Sequence, residues 1–264
     1  MNNTFNLKRF GLLLKKTLLE RPVQMFGFTG LLLGVVLIMY VIIKSLAGFN
    51  AAQNISFIWG LPGGGFFLAS FAFNYFSSNA NGASYLTLPA SHFEKWLCGV
   101  LITGVFYVIV FLLFFRIMDY TFVSLYHSGL DKADPFYKIK YDSVYLFSFN
   151  GFITARVYKL FIFLVGAMLV GSLYFNKVSF IKVAIILCVL CIGGFALNWL
   201  FAKMFFNHVS DAGPFNHVSL LVGSEEGSIE LPDAAATIFN AAVAIIIPVL
   251  LWTLAFLRLK EKEF

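Results

Sequence analysis

Charge is what this sequence has least of: charged residues make up 12% of 264, against about 25% in an ordinary soluble domain. With 60% hydrophobic and 18% aromatic residues, a water-soluble fold of this length could not hide its apolar surface, whereas a bilayer needs none of it hidden. Cysteine is scarce as well. Cys98, Cys188 and Cys191 all fall in apolar runs, so no disulfide framework is indicated. Period-two alternation of apolar and polar residues is missing, which argues against a β-barrel. The basic N-terminal region is followed by an apolar stretch that is too long and lacks a small-residue cleavage site, so no cleavable signal peptide is expected. The length suits one membrane domain with short loops and leaves no room for a second folded domain.

Signatures of chemistry are missing too. There is no G-x-x-x-x-G-K-[ST] loop; the nearest run, Gly166 to Gly171-Ser172, lacks the lysine and lies in mid-membrane, where it cannot cradle phosphate. Cys188-x-x-Cys191 has redox or metal spacing, but its setting (Ile-Leu-Cys-Val-Leu-Cys-Ile) fits small thiols buried between helices. His208, Asp211 and His217 share a loop region and read as ordinary polar residues rather than metal ligands. Glu225-Glu226 has no helical apolar context of the kind an intramembrane protease needs, and every histidine lies outside the apolar runs, which disfavours haem. The expectation is a chain with no enzymatic activity, no cofactor and no metal.

What is present is a series of long apolar runs. A helix crossing about 30 Å of hydrocarbon needs roughly 20 mostly apolar residues, and six stretches qualify: about 23–47, 56–76, 96–117, 157–175, 180–205 and 235–257. The first opens after Pro22, a good first-turn residue, and ends near Lys44, whose stem can snorkel to the interface. Gly60-Leu61-Pro62-Gly63-Gly64-Gly65 interrupts the second, so that this break is expected to pack against protein or line a cavity. The fourth and fifth are joined by a few residues around Asn176-Lys177-Val178-Ser179, which predicts an antiparallel hairpin. The fold class expected is an all-α integral membrane protein of six transmembrane helices with an N-terminal amphipathic interfacial helix.

Lysine and arginine set the orientation. With the N-terminus inside, eleven bases and four acids flank the cytoplasmic side, and eight bases and nine acids the other. The positive-inside rule therefore puts both termini on the cytoplasmic side, with the cytoplasmic (inner) membrane as the expected location, and the basic balance reports contact with anionic lipid rather than nucleic acid. Residues 4–21 read as a surface helix, with Leu7, Phe10, Leu14 and Leu18 in one stripe and Lys8, Arg9, Lys15 and Lys16 opposite. The alternative is an inward extension of the first span.

Polar groups in or beside the spans usually face a bundle interior or cavity. Asn74, Asn198 and Asn240 are candidates for interhelical hydrogen bonds or a translocation path, while Arg156, Lys159 and Lys203 are expected to snorkel outward. Gly30-x-x-x-Gly34 permits close helix approach, as a packing face inside the subunit or as a dimer seam. The aromatic and charged stretch from Asp119 to Phe152 suggests elements lying along the outer headgroup layer, or covering a partner.

The most informative stretch joins spans two and three. Pro89 makes Leu88 unlike a helical residue, Ser91 and Glu94 form a capping box that starts a new helix, and Trp96 anchors that helix at the interface. Such a stretch is a structured turn with a short element before Pro89. The run Tyr85-Leu86-Thr87-Leu88-Pro89-Ala90-Ser91, with Glu94-Lys95 and an apolar helix following, resembles the corresponding cytoplasmic loop of type-2 ABC transporter permeases. The order of elements is similar as well: a surface helix, six spans, a short loop between spans four and five, and a longer outer segment before span six.

The resemblance covers the layout of nearly the whole chain but only about a dozen residues of sequence. It implies a membrane-spanning permease subunit of an ATP-binding-cassette exporter, dimeric with itself or a related permease and powered by a separate ATPase subunit. In that family the loop docks on the ATPase as a coupling helix, here within Asn79–Leu88, with Tyr85, Leu86, Leu88 and Phe93 as the exposed apolar contacts. The alternatives are an ordinary capped inner loop and, for the chain as a whole, a non-transport membrane scaffold or accessory subunit. An adjacent reading frame encoding a Walker A ATPase would discriminate between them.

Overall fold

Apolar runs of this length leave a backbone in lipid little alternative to helix, because each unpaired amide in hydrocarbon costs several kcal/mol. Helix is what most of the chain forms. The computed structural model describes residues 5–20, 22–77, 79–175, 178–206, 208–213, 217–222, 225–230 and 232–262; for Gln24, Asn74, Ser77, Asn79, Ala80, Asn81, Val222, Glu225, Glu226 and Asp233 it describes the backbone alone. The helices are α1 (Leu7–Glu20), α2 (Phe28–Ala72), α3 (Asn79–Leu86), α4 (His92–Val100), α5 (Tyr107–Ser128), α6 (Tyr137–Asp142), α7 (Phe152–Tyr174), α8 (Ser179–Phe205), α9 (Asp233–Ala241) and α10 (Ile247–Lys260). π-Helical turns at Leu101–Phe106 and Ala242–Ile246 carry α4 into α5 and α9 into α10. Five helices are long and apolar enough to cross a membrane: Met25–Ala72, His92–Ser128, Phe152–Tyr174, Ser179–Phe205 and Ala234–Lys260. They indicate a membrane protein.

The first of these corrects the sequence reading, which placed a loop between spans ending at 47 and beginning at 56. Helix continues through that region except at Gly48, where φ is 83°, a conformation cheap only for glycine. A straight helix of 45 residues would reach roughly 68 Å. Instead the chain doubles back at Gly48. A Cβ on Gly60 would stand 2.8 Å from the Val36 side chain, and Phe28 stacks on Phe71 with ring centroids 4.8 Å apart. These pairings are antiparallel about residue 48. Helix α2 is thus a hairpin of two arms, 28–47 and 49–72, each about as long as the hydrocarbon is thick.

The expected interruption at Gly60–Gly65 does not occur either. The second arm runs on through Pro62 to Ala72, and three of its glycines, Gly60, Gly64 and Gly65, are seats for neighbouring rings. A Cβ on Gly64 would stand 1.8 Å from the Tyr107 hydroxyl, and one on Gly65 would stand 2.2 Å from Phe161. The Tyr107 hydroxyl donates to the Gly60 carbonyl at 2.8 Å. Lipid supplies no hydrophobic drive between helices, so close packing of this kind is what holds such a bundle. Its centre is a run of buried rings, Phe57, Phe111, Phe115, Phe147 and Phe161. Helix α7 lies against both α2 and α10, with Val165, Met168, Leu169 and Leu173 fully buried.

Two further departures concern the loops. The third helix reaches Ser128 rather than 117, because Tyr120–Leu125 keeps the apolar helical pattern beyond Asp119. The region before α9 is not all-α. Strands β1 (Val209–Ala212), β2 (His217–Val222) and β3 (Glu225–Glu230) form an antiparallel sheet in that order, with a bulge between Val209 and Asp211. The turn at Asn176-Lys177 lies outside the described residues.

Contacts sort these elements to two ends of the bundle. At one end lie α1, α3, the start of α4 and the close of α10. At the other lie Gly48, the 143–151 segment, the start of α7 and the sheet.

Candidate coupling surface and the polar groups of the bundle

The turn between α3 and α4 is fixed by two neighbouring side chains that reach opposite ways. Ser91 caps α4: its hydroxyl accepts from the Glu94 amide at 3.2 Å, and the Glu94 carboxylate accepts from the Ser91 amide at 2.8 Å. Both orphan amides are satisfied by this capping box. Glu94 is fully buried and goes further. Its Oε1 accepts from Asn6 N (2.8 Å) and Arg9 Nη2 (2.7 Å), and its Oε2 accepts from Arg9 Nε (2.8 Å). The two-pronged arginine pairing fixes orientation as well as charge, and the hydrogen bond to Glu94 raises the Arg9 pKa. Lys95, also buried, sends its ammonium back to the Leu86 carbonyl at 2.8 Å. That carbonyl is an orphan at the C-terminus of α3, where a cation is favoured. One residue ties α4 to α1, and the next ties it to α3.

This arrangement corrects the expectation that Tyr85 is an exposed contact. Tyr85 is buried, stacks on Tyr75 at 4.5 Å and meets Phe76 edge-on at 5.9 Å; burial pushes its phenol pKa well up. Leu86 and Leu88 are half-buried. Phe93 remains largely exposed while touching Phe5, Trp96 and Phe256. The outward face of the turn is Ser84, Thr87 and Pro89. Beside it a groove of about 210 Å³ runs between α1 and the turn, lined by Arg9, Leu12, Leu13, Lys16, Leu88, Pro89 and Ala90.

Helix α1 packs by Phe10, Leu13 and Thr17, with Leu14 and Leu18 alongside, on Ala90, Cys98 and Ile102. Its buried stripe is therefore rotated from the one read in the sequence, and Leu7 is exposed. The reason is a protein partner on this face, which selects the side lying against α4.

The remaining candidates divide. Among the described residues nothing comes within 4 Å of a Cβ placed on Gly30 or Gly34, so these glycines are not a packing face inside the subunit. Gly166 and Gly171 are packing positions: a Cβ there would meet Trp252 at 2.5 Å and Val183 at 2.0 Å. Cys188 and Cys191 are exposed rather than buried between helices. Asn198 donates to the Ala212 carbonyl of β1 at 3.1 Å, which joins helix to strand rather than helix to helix. Asn240 lines a cleft between α7 and the α9 region, together with Arg156 and Lys159. The side chains of Asn74, Glu225 and Glu226 lie outside the described residues.

Sequence reasoning missed one polar centre. Asp119 is fully buried. Its Oδ1 accepts from the Tyr40 hydroxyl and from Gln53 Nε2, each at 2.8 Å, and its Oδ2 accepts from Phe147 N at 2.8 Å. Gln53 also donates to the Tyr145 carbonyl at 2.8 Å. This carboxylate holds both arms of α2, α5 and the 143–151 segment together. The signal was an acid inside an unbroken helical apolar pattern, hidden because the third span was ended at 117.

In comparison with known proteins, no family model, no curated protein and no solved structure matches this chain.

Proposed function

We propose that this chain is one permease subunit of a type-2 ATP-binding-cassette exporter. In this reading it crosses the inner membrane six times, the two arms of α2 counting as two crossings. Helix α1 lies at the cytoplasmic headgroup layer, and both termini are cytoplasmic. The chain pairs with a second copy or a related permease; the open Gly30–Gly34 face and α8, which buries only Val183 and Ala202 among its described residues, offer surface for that pairing. Motive force comes from a separate ATPase.

The observation that carries this reading is the clamped unit of α1, α3 and the first turn of α4. A loop held by a buried carboxylate on one side and a buried ammonium on the other transmits a push, where slack chain would absorb it. ATPase closure against Ser84, Thr87 and Pro89 would move the unit as one body, biasing the bundle between two arrangements.

The test is copurification from the native membrane. Wild type is expected to bring down a Walker A ATPase, and the S84D/T87D variant to lose it while keeping its melting temperature. Those two side chains are exposed and make one local hydrogen bond, from the Thr87 hydroxyl to the Ser84 carbonyl, and an unchanged melting temperature separates loss of the partner from loss of fold. Retention of the ATPase at wild-type yield would overturn the coupling assignment, and its absence from the wild-type preparation would overturn the function.

A further inference from the structure

At the end of the bundle away from α1, a cleft of about 560 Å³ opens between α7 and the α9–α10 helix. Its volume falls in the range of ligand sites, roughly 300–1,000 Å³. The walls are apolar, with Phe152, Leu160, Phe163 and Val243 among them. Three polar side chains interrupt them: Arg156, Lys159 and Asn240. Arg156 and Lys159 stand three residues apart on α7, hence on one helix face, and both are exposed. The Arg156 guanidinium is held over the Phe152 ring at 4.1 Å, a stacking that steers the planar fork without using its hydrogen bonds. No acid is among the described residues that line the cleft.

Two cations on an otherwise apolar wall, one to two turns from the start of a membrane-length helix, form a surface with one kind of complement. We infer that this cleft binds an anionic phospholipid of the surrounding leaflet. The phosphate sits between Arg156 and Lys159, Asn240 hydrogen-bonds the headgroup, and an acyl chain lies along Leu160, Phe163 and Val243. A free anion has no use for that apolar floor. A zwitterionic lipid brings its own cation to the two already there. The inference requires only that the chain lies in a bilayer, and it stands or falls apart from the ATPase reading.

The experiment is photocrosslinking of the full chain in nanodiscs containing equal amounts of phosphatidylglycerol and phosphatidylcholine, with a photoreactive acyl chain on one lipid at a time. The expected result is labelling of peptides spanning 152–163 and 239–244 by phosphatidylglycerol in preference to phosphatidylcholine. Each cation is worth about fivefold near a charged surface, so R156Q/K159Q is expected to lower the preference by roughly thirtyfold. R156K, which keeps the charge, is expected to retain most of it. K15Q/K16Q, altered at the other end of the bundle, is expected to leave it unchanged. Equal labelling by the two lipids, or a preference that survives R156Q/K159Q, would overturn the proposal. Competition by millimolar inorganic phosphate would reassign the site to a free anion and overturn the lipid.

Discussion

Replacement of Asp119 by asparagine tests the polar centre, because the substitution changes charge and donor pattern while keeping shape. In its better orientation the amide keeps its oxygen toward Tyr40 and Gln53 and turns its NH2 toward the Phe147 N–H, donor against donor. The opposite orientation is worse, since Gln53 is also held by the Tyr145 carbonyl and cannot turn away freely. One buried amide is left unpaired, at about 1–3 kcal/mol, and two hydrogen bonds fall from the charged to the neutral class, losing about 1 kcal/mol each. Relief from burying a charge offsets part of this. The balance is a loss of about 2 kcal/mol, or roughly thirtyfold in the local opening equilibrium. Hydrogen exchange of the chain in nanodiscs should show that increase over residues 143–151, with a larger one in D119A, which abandons all three donors. Exchange within twofold of wild type in both variants would refute the account of Asp119 as the tie between helices and loop.

Three further outcomes are expected. Gly63→Ala, in open space, should leave stability unchanged or raise it by about 0.5–1 kcal/mol, whereas Gly64→Ala, one residue along, forces Tyr107 aside and should cost about 1–3 kcal/mol in packing; thermal melts in one detergent would compare the pair, and equal shifts would contradict the glycine-seat argument. Lys95→Met strips the cap from the Leu86 carbonyl and should raise hydrogen exchange in α3 about tenfold, and unchanged exchange would show that the carbonyl finds another donor. In a chain whose Cys188 and Cys191 are replaced by serine, cysteines placed at Thr87 and Lys260 should be labelled from the cytoplasmic side and one at Tyr145 from the opposite side; any other partition rejects the proposed topology.

The sequence made legible the features that depend on local chemistry. The capping box at Ser91 and Glu94 needs only the two residue types at the right spacing, and the apolar runs mark helices by composition alone. Features that depend on a distant partner were hidden. Tyr85 read as exposed because its cover, Tyr75 and Phe76, comes from the short turn Asn74–Ser77 that follows α2. Gly60–Gly65 read as a break because glycine in isolation is a poor helix former; the aromatic rings that fill its grooves lie some 40 to 100 residues further along the chain. The Arg9–Glu94 pair spans 85 residues, and no periodicity announces it. Gly48 was passed over for the opposite reason. A single glycine among helix formers is ordinary in sequence; the spans ending at 47 and beginning at 56 imply a reversal between them, but only the positive φ of Gly48 shows that one residue makes the turn and no loop is needed.

That reversal has a consequence for parity. A helix that folds back at its midpoint returns to the side from which it left, so α2 adds an even number of passages whatever surrounds it. Helix α1 is bound to the start of α4 through Arg9 and Glu94, and the close of α10 is bound to the same turn through the Phe256 contacts with Phe93 and Trp96. The segments 7–20 and 256–260 therefore share one face of the molecule, through these contacts and not through any count of surface bases. Counting lysines decides only which compartment that face meets. A mutation that redistributed surface charge could invert the whole bundle, but it could not separate those two segments without breaking the packing that joins them.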